Sequence, residues 1–176
     1  MKRLLLTTLL LCALTTLYSQ ERVGLVEVEA ALGLVGGKAH APFSESKAGA
    51  AAAEVRVNMP NSPFDVGLQL AVVRYGREST LFRHNHTTLF ADYNLRPHHL
   101  VHFFAGVGVG YGEVIEGAYS TNGEVSSYSH HLVVAPRLGV EFCNIARLTL
   151  ESKLLSQGKS YVGATLGVVI GGWRKK

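Results

Sequence analysis

The chain has 176 residues, of which 47% are hydrophobic and 17% charged, and its formal net charge at pH 7 is +4. This length suits one domain, and the charged fraction is below the roughly 25% of an average soluble domain. Without Lys2 and Arg3, 15 lysines and arginines face 13 aspartates and glutamates. That balance excludes the strongly basic surface typical of nucleic-acid-binding proteins.

The first twenty residues, MKRLLLTTLLLCALTTLYSQ, combine two basic residues, an apolar run and a small polar end. This is the pattern of a cleaved secretory signal peptide. The run is too short and too rich in threonine for a good membrane-spanning helix, although an uncleaved anchor is the alternative. We therefore predict a signal peptide at 1–20 and one domain at 21–176, in which Cys143 has no cysteine partner for a disulfide.

Alternation of apolar and polar residues dominates the rest of the chain and predicts β-strands. In chain order the alternating segments are 23–35, 50–59, 64–75, 87–96, 100–112, 129–142, 146–155 and 160–172. Most are ten to fourteen residues long, which is long for a soluble sheet and suits tilted membrane strands of roughly 9 to 11 residues with extensions.

Each segment has one nearly continuous apolar face and one polar face. In the sixth segment, for example, Leu138 and Val140 share one face, whereas Arg137 and Glu141 share the other. In the eighth, Leu166 and Val168 belong to the apolar face. The charged residues of the polar faces are Glu27, Glu29, Glu54, Arg56, Asp65, Asp92, Arg137, Glu141, Arg147, Glu151 and Lys153.

Two inside-out arrangements fit this pattern. A soluble lipocalin-like barrel turns its apolar faces inward, whereas a transmembrane barrel turns them toward lipid. The segment FFAGVGVGYGE places Gly106, Gly108 and Gly110 on the polar side, where small residues are useful only in a crowded lumen. We therefore predict an all-β, eight-stranded, antiparallel up-and-down transmembrane barrel, in which glycines make room for Arg137, Glu141, Arg147, Glu151 and Lys153.

The eleven charged residues listed above are predicted to form a structural polar network in the lumen. Pairing through the short turn after Phe142 should bring Glu141 opposite Arg147 and Arg137 opposite Glu151. Buried charges need partners, so this network predicts a filled lumen and no continuous water channel.

The connections alternate in length, except that the last, SQGK at 156–159, is also short. Those at 60–63, 96–99 and 143–146 are short and rich in turn-forming proline and asparagine, whereas 37–47, 76–86 and 115–127 are predicted to be loops. Short periplasmic turns and longer external loops are typical of such barrels, so both termini are expected in the periplasm. The loops at 37–47 and 115–127 should be mobile and accessible from outside.

The chain resembles the small bacterial outer-membrane barrels of the OmpA/OmpX type. The resemblance spans the whole chain and is carried by its signal peptide and by FFAGVGVGYGE, VVAPRLGVEF and SYVGATLGVVIGG. It implies a porin-like architecture at the cell surface of a Gram-negative bacterium, inserted by the barrel-insertion machinery and surrounded by outer-membrane lipid and lipopolysaccharide. The family includes anchors, adhesins and surface-defence proteins, so the resemblance does not specify an activity.

A lipid-modifying enzyme, such as a lipid A deacylase, is the alternative from another class. Ser129, His130 and His131 supply a hydroxyl and imidazoles, and His130 lies on the lipid-facing side. However, the deacylase pattern His-x-Ser-Asn is absent, and adjacent strand residues point to opposite faces. We expect no catalytic residues.

Histidines also raise the possibility of a metal site, at His84 and His86 or at His98, His99 and His102. We interpret them instead as interfacial residues near the barrel ends. The sequence thus predicts a monomeric structural or surface-binding protein without a cofactor or metal.

Overall fold

The computed structural model describes residues 26–36, 48–59, 62–77, 80–95, 100–118, 125–156 and 160–171. The strands in these ranges are β1 Val26–Gly36, β2 Gly49–Asn58, β3 Phe64–Arg77, β4 Thr80–Leu95, β5 Val101–Ala118, β6 Val125–Phe142, β7 Ala146–Leu155 and β8 Tyr161–Gly171. Each strand pairs antiparallel with the next, and β8 pairs with β1 to close the barrel. The predicted eight-stranded up-and-down fold is confirmed. The predicted signal peptide lies outside the described residues.

The described part of the chain contains no helix that combines the length and apolar character needed to span a membrane.

The apolar faces of the strands point outward. Leu138, Leu166 and Val168 are 56%, 61% and 54% exposed, and large apolar side chains of all eight strands are exposed in the same way. The eleven charged residues of the predicted lumen network are all buried. A lipocalin-like barrel requires the opposite arrangement, so that alternative is wrong.

A short connection of three residues, 143–145, sets the register between β6 and β7. Cys143 and Asn144 both have positive φ angles, 55° and 54°, and the amide of Ile145 donates to the carbonyl of Phe142 at 3.0 Å. Two left-handed central residues define a type I′ turn, whose twist matches that of the flanking strands. The resulting register pairs Glu141 with Arg147 and Arg137 with Glu151, as predicted.

Three strands are longer than predicted, so part of the predicted loop structure is wrong. β4 begins at Thr80 rather than near residue 87, β5 continues to Ala118, and β6 begins at Val125. Only residues 78 and 79 separate β3 from β4, where the sequence predicted a loop at 76–86. Polar residues occupy both faces of this stretch, and they concealed its alternation. Of the predicted loop 115–127, residues 119–124 lie outside the described residues, as does the loop 37–47.

The barrel therefore has one tall wall. β3 to β6 contain 14 to 18 residues, whereas β1, β2, β7 and β8 contain 10 or 11. We call the end with the β2–β3, β4–β5 and β6–β7 connections the turn end, and the opposite end the loop end. The extra length of the tall wall lies at the loop end.

Candidate functional site

The middle of the lumen is organised around Arg137. Its Nη1 atom lies 2.6 Å from Oε2 of Glu54, and its Nη2 atom lies 2.6 Å from Oδ2 of Asp92. The guanidinium carbon is also 3.6 Å from the centre of the Phe90 ring. Two bidentate carboxylate contacts and a ring face satisfy this buried cation from three sides. β2, β4 and β6 are thereby joined across the lumen.

Arg147 repeats the arrangement one level closer to the turn end. Its Nη2 atom donates to Oδ2 of Asp92 at 2.8 Å, and its guanidinium carbon lies 3.6 Å from the centre of the Phe104 ring. Its Nη1 atom is 3.9 Å from Glu141, so the predicted Glu141–Arg147 pair exists but is the longer contact. Asp92 consequently lies between two guanidinium groups.

Arg137 and Glu151 were predicted to form an ion pair with each other, but each forms its ion pairs with other residues. These residues are opposite each other in the register, but Arg137 binds Glu54 and Asp92, and Glu151 binds Lys153. An arginine is long enough to reach the far wall of an eight-stranded barrel. A cation in a narrow lumen can therefore bind carboxylates several strands away.

The turn end of the lumen holds a second group of charges. Arg56 binds Oε2 of Glu27 through Nη2 at 2.5 Å and through Nε at 3.0 Å, and its Nη2 atom is 3.3 Å from Oε2 of Glu141. Asn58 donates to the other oxygen of Glu27 at 2.8 Å. Asn94 donates to Asp65. Charge-assisted hydrogen bonds of this kind hold the carboxylates of Glu27 on β1 and Asp65 on β3 in the lumen.

From Arg137 toward the loop end, the lumen contains fewer charged side chains. Lys153 forms an ion pair with Glu151 and donates to Gln69 at 2.9 Å and to Thr88 at 3.2 Å. The remaining predicted network residue, Glu29, is 3.8 Å from both Arg56 and Arg147. Ten of the eleven predicted residues are therefore linked in one layered set of contacts, and the eleventh, Asp65, contacts Asn94.

The histidine interpretation is partly wrong. His84, His86 and His131 are buried in the lumen, and the rings of His84 and His86 pack against Tyr161 at 6.0 and 5.6 Å between centres. His102 is also buried, 3.8 Å from Glu141. These histidines alternate in step with the other inward-facing residues of their strands, and this pattern could have revealed that they lie in the lumen. His98 and His99 lie outside the described residues, and no cluster of metal-binding side chains occurs in the described ranges.

An apolar cluster closes the loop end of the lumen. Val35, Val73, Val114, Leu155 and Tyr161 are buried together, and Val114 has no exposed surface. Sequence reasoning missed this cluster because it assigned the inward faces to polar residues and glycines. The lumen thus changes from carboxylates and arginines at the turn end to apolar side chains and histidines at the loop end.

The lumen glycines serve a different purpose from the predicted one. A Cβ atom at Gly108 would lie 2.5 Å from the Phe90 ring, and one at Gly106 or Gly139 would collide with Asp92 or Phe104. Glycines therefore make room for carboxylates, with Gly67 against Glu54 and Gly167 against Glu29 as well, and for the two rings beneath the arginines. The predicted crowding is present, but its source is the aromatic rings and the carboxylates Asp92, Glu54 and Glu29 rather than the five predicted charged residues.

The residues considered for hydrolase chemistry lie on opposite faces of β6. Ser129 and His131 are hydrogen-bonded at 3.0 Å and point into the lumen, where His131 is buried. His130 points outward and stacks on Tyr111 with 5.4 Å between ring centres. A nucleophile and its base need to meet on the substrate-facing side, and here the outward His130 is flanked on its face by Tyr128 and Leu132.

The outer surface carries a polar group that sequence reasoning missed. We call it the outer polar belt; it consists of Arg74, Arg83, Asn85, Glu113 and His130. Arg83 donates from Nε to Oδ1 of Asn85 at 2.8 Å, and Asn85 donates to Oε2 of Glu113 at 3.3 Å. Asn85, Glu113 and His130 are successive partners across β4, β5 and β6. The sequence does contain a signal for this belt, because its polar residues occupy positions of the otherwise apolar outward faces.

No protein-family model matches the sequence, and no curated protein matches it. Solved structures do share its fold. Neisserial surface protein A has a TM-score of 0.61 at 12% identity, over 82% of this chain and 94% of that one. Ail, the attachment invasion locus protein of Yersinia pestis, has a TM-score of 0.55 at 15% identity, over 82% and 96%.

An enzyme is also among the structures with this fold. The outer-membrane enzyme PagL has a TM-score of 0.51 at 11% identity, over 82% of this chain and 99% of that one. At these identities the likeness establishes the fold. The chain has the fold of small eight-stranded outer-membrane barrels.

Proposed function

We propose that this chain is a bacterial outer-membrane protein that stabilises the membrane or binds partners at the cell surface, without catalysis and without an open pore. The observation that carries the proposal is the lumen. Arg137 joins Glu54 and Asp92 across it, and the apolar cluster around Val114 fills its loop end. Such a lumen supports a rigid scaffold rather than a transport path.

The exterior supports residence in a membrane. Exposed leucines and valines occur on all eight strands, whereas a soluble monomer seldom exposes apolar side chains in a continuous surface. With the signal peptide expected at 1–20, the chain would be exported and inserted by the barrel-insertion machinery as a monomer. Both termini would then be periplasmic, and the loop end would face the cell exterior among lipopolysaccharide molecules.

Membrane fractionation and gel mobility test the location. The protein should appear in the outer-membrane fraction and should migrate differently before and after boiling, because a closed barrel resists detergent until it is heated. Recovery in the soluble periplasmic fraction would refute the proposal.

An epitope tag near Asn122 tests the orientation, because residue 122 lies between β5 and β6 at the loop end. Antibody should bind this tag on intact cells, whereas a tag in the β4–β5 turn at 96–99 should become visible only after permeabilisation. The reverse pattern would place the loop end in the periplasm.

A lipid A deacylase-like activity is the second candidate, favoured by the shared fold with the enzyme PagL. The separation of Ser129 from His130 onto opposite faces argues against it. Mass analysis of lipid A from cells with and without the protein should give identical acylation patterns. Loss of an acyl chain in the wild type, but not in His130→Ala, would establish the enzyme instead.

A further inference from the structure

The outer polar belt lies at the edge of the membrane-facing surface. On β5 the outward side chains from Val101 to Tyr111 are all apolar, and the next outward residue is Glu113. That apolar run extends about 33 Å along the strand, or about 25 Å along the axis of a barrel with strands tilted by about 40°. This is the height of the apolar band of such barrels, so the belt lies at headgroup level on the loop side.

Two arginines of the belt are neighbours. Arg74 on β3 and Arg83 on β4 are direct partners in the register. Like charges opposite each other destabilise a sheet, and the contacts of Arg83 within the belt lead to Asn85 rather than to Arg74. An anion bound between the two guanidinium groups would remove this repulsion.

A groove begins beside Arg83, the register partner of Arg74, and continues into the apolar band. It has a volume of about 700 Å³ and is lined by Ala51, Ala53, Leu70, Val72, Arg83, Tyr111 and Glu113, among others. The alanines of β2 form a depression because larger side chains project on both sides of them. Leu32 and Leu34 of β1 are 72% and 71% exposed on one side, and Tyr111 stands on the other.

We propose that this groove binds a lipid of the loop-side leaflet that carries an anionic phosphate headgroup. The phosphate lies between Arg74 and Arg83, which match its charge and geometry, and one acyl chain fills the depression over Ala51 and Ala53. Asn85 holds the Arg83 guanidinium in place, and its second hydrogen bond engages Glu113, the one acidic member of the belt. The inference rests on the proposed function, because it requires the barrel to span a membrane.

The test measures lipid retained by the purified full-length protein. The protein is inserted into phosphatidylcholine vesicles containing lipid A, extracted in mild detergent and analysed by native mass spectrometry. Wild-type protein should retain lipid A, whereas the double variant Arg74→Gln, Arg83→Gln should bind it about tenfold more weakly, since charge-assisted hydrogen bonds are lost. Dephosphorylated lipid A should bind the wild type no better than it binds the double variant.

A second pair of variants tests the groove. Ala53→Leu fills the depression and should reduce retention, whereas Ala164→Leu makes the same change at an outward, exposed alanine of β8 and should leave it unchanged. Equal retention by all variants would overturn the inference, as would arginine-dependent binding of inorganic phosphate that competes fully with lipid A. Assembly of lipid-free dimers through the groove would overturn it as well.

Gel mobility before and after boiling separates the two proposals. If the wild type and its variants are folded and inserted but retain lipid A equally, only the lipid site fails. If the wild type does not insert into vesicles, the proposed membrane function fails with it.

Discussion

At the scale of single residues, Arg137 shows how a narrow barrel uses a long cation. Its guanidinium contacts Glu54 and Asp92 from other strands and lies against the Phe90 ring. Removing one partner of a buried ion pair leaves the other charge without compensation, which is the main energetic risk of such networks. The neighbouring glycines are part of the same design, because a side chain at Gly108 would displace Phe90.

Arg137→Met should therefore reduce the free energy of unfolding by about 3 to 5 kcal/mol, as measured by reversible urea unfolding in lipid vesicles. The double variant with Glu54→Leu should recover part of this loss, because the carboxylate left unpaired is also removed. The matched control is Glu151→Leu, which alters the residue opposite Arg137 in the register but not one of its ion-pair partners. Coupling as large with Glu151 as with Glu54 would contradict the cross-lumen arrangement.

At the scale of elements, the tall wall formed by β3 to β6 is the main departure from the sequence prediction. β3 and β4 remain paired as far as Arg77 and Thr80, so the stretch from residue 80 to 86 is strand rather than loop. The wall positions the outer polar belt, because Arg83, Asn85 and Glu113 all lie in the added length. Assigning Arg83 and Asn85 to a loop therefore hid a feature of the outer surface.

Amide hydrogen exchange can test this assignment. Peptides covering residues 80–86 should exchange orders of magnitude more slowly than the same sequence as a free peptide, because their amides belong to the β3–β4 or β4–β5 ladder. Residues 64–70 of β3 provide the internal reference for a paired strand. Exchange at the free-peptide rate would restore the loop interpretation of 76–86.

At the scale of the whole molecule, the barrel is the inverse of a soluble globular protein. Charges occupy its interior, and leucines and valines occupy its exterior. The backbone N–H and C=O groups between this interior and the apolar exterior must be paired within the protein. A closed barrel pairs them without leaving an unpaired strand edge. The loop end differs from the rest of the lumen, since its buried side chains are an apolar cluster and histidines.

This orientation predicts different consequences for substitutions on the two faces. Leu138→Arg, near the middle of the outward face of β6, should reduce stability in bilayers by about 2 to 4 kcal/mol. Gly108→Leu on the inward face should also destabilise, because the new side chain meets Phe90 and Thr88. Urea unfolding in vesicles measures both. If both substitutions are neutral, the assignment of the two faces is incorrect.

The sequence by itself determined the features that depend on local periodicity. Alternation identified eight strands and their two faces, and the short turn after Phe142 fixed the Glu141–Arg147 register, since the length of a hairpin loop determines which residues pair. The tertiary structure decided which charges meet, because Arg137 reaches Glu54 across 83 positions of sequence through a space that exists only after closure. It also decided the strand ends, the apolar closure around Val114 and the outer polar belt. At the strand ends, hydrogen bonding to the neighbouring strands extends the sheet into segments whose local sequence pattern is typical of loops.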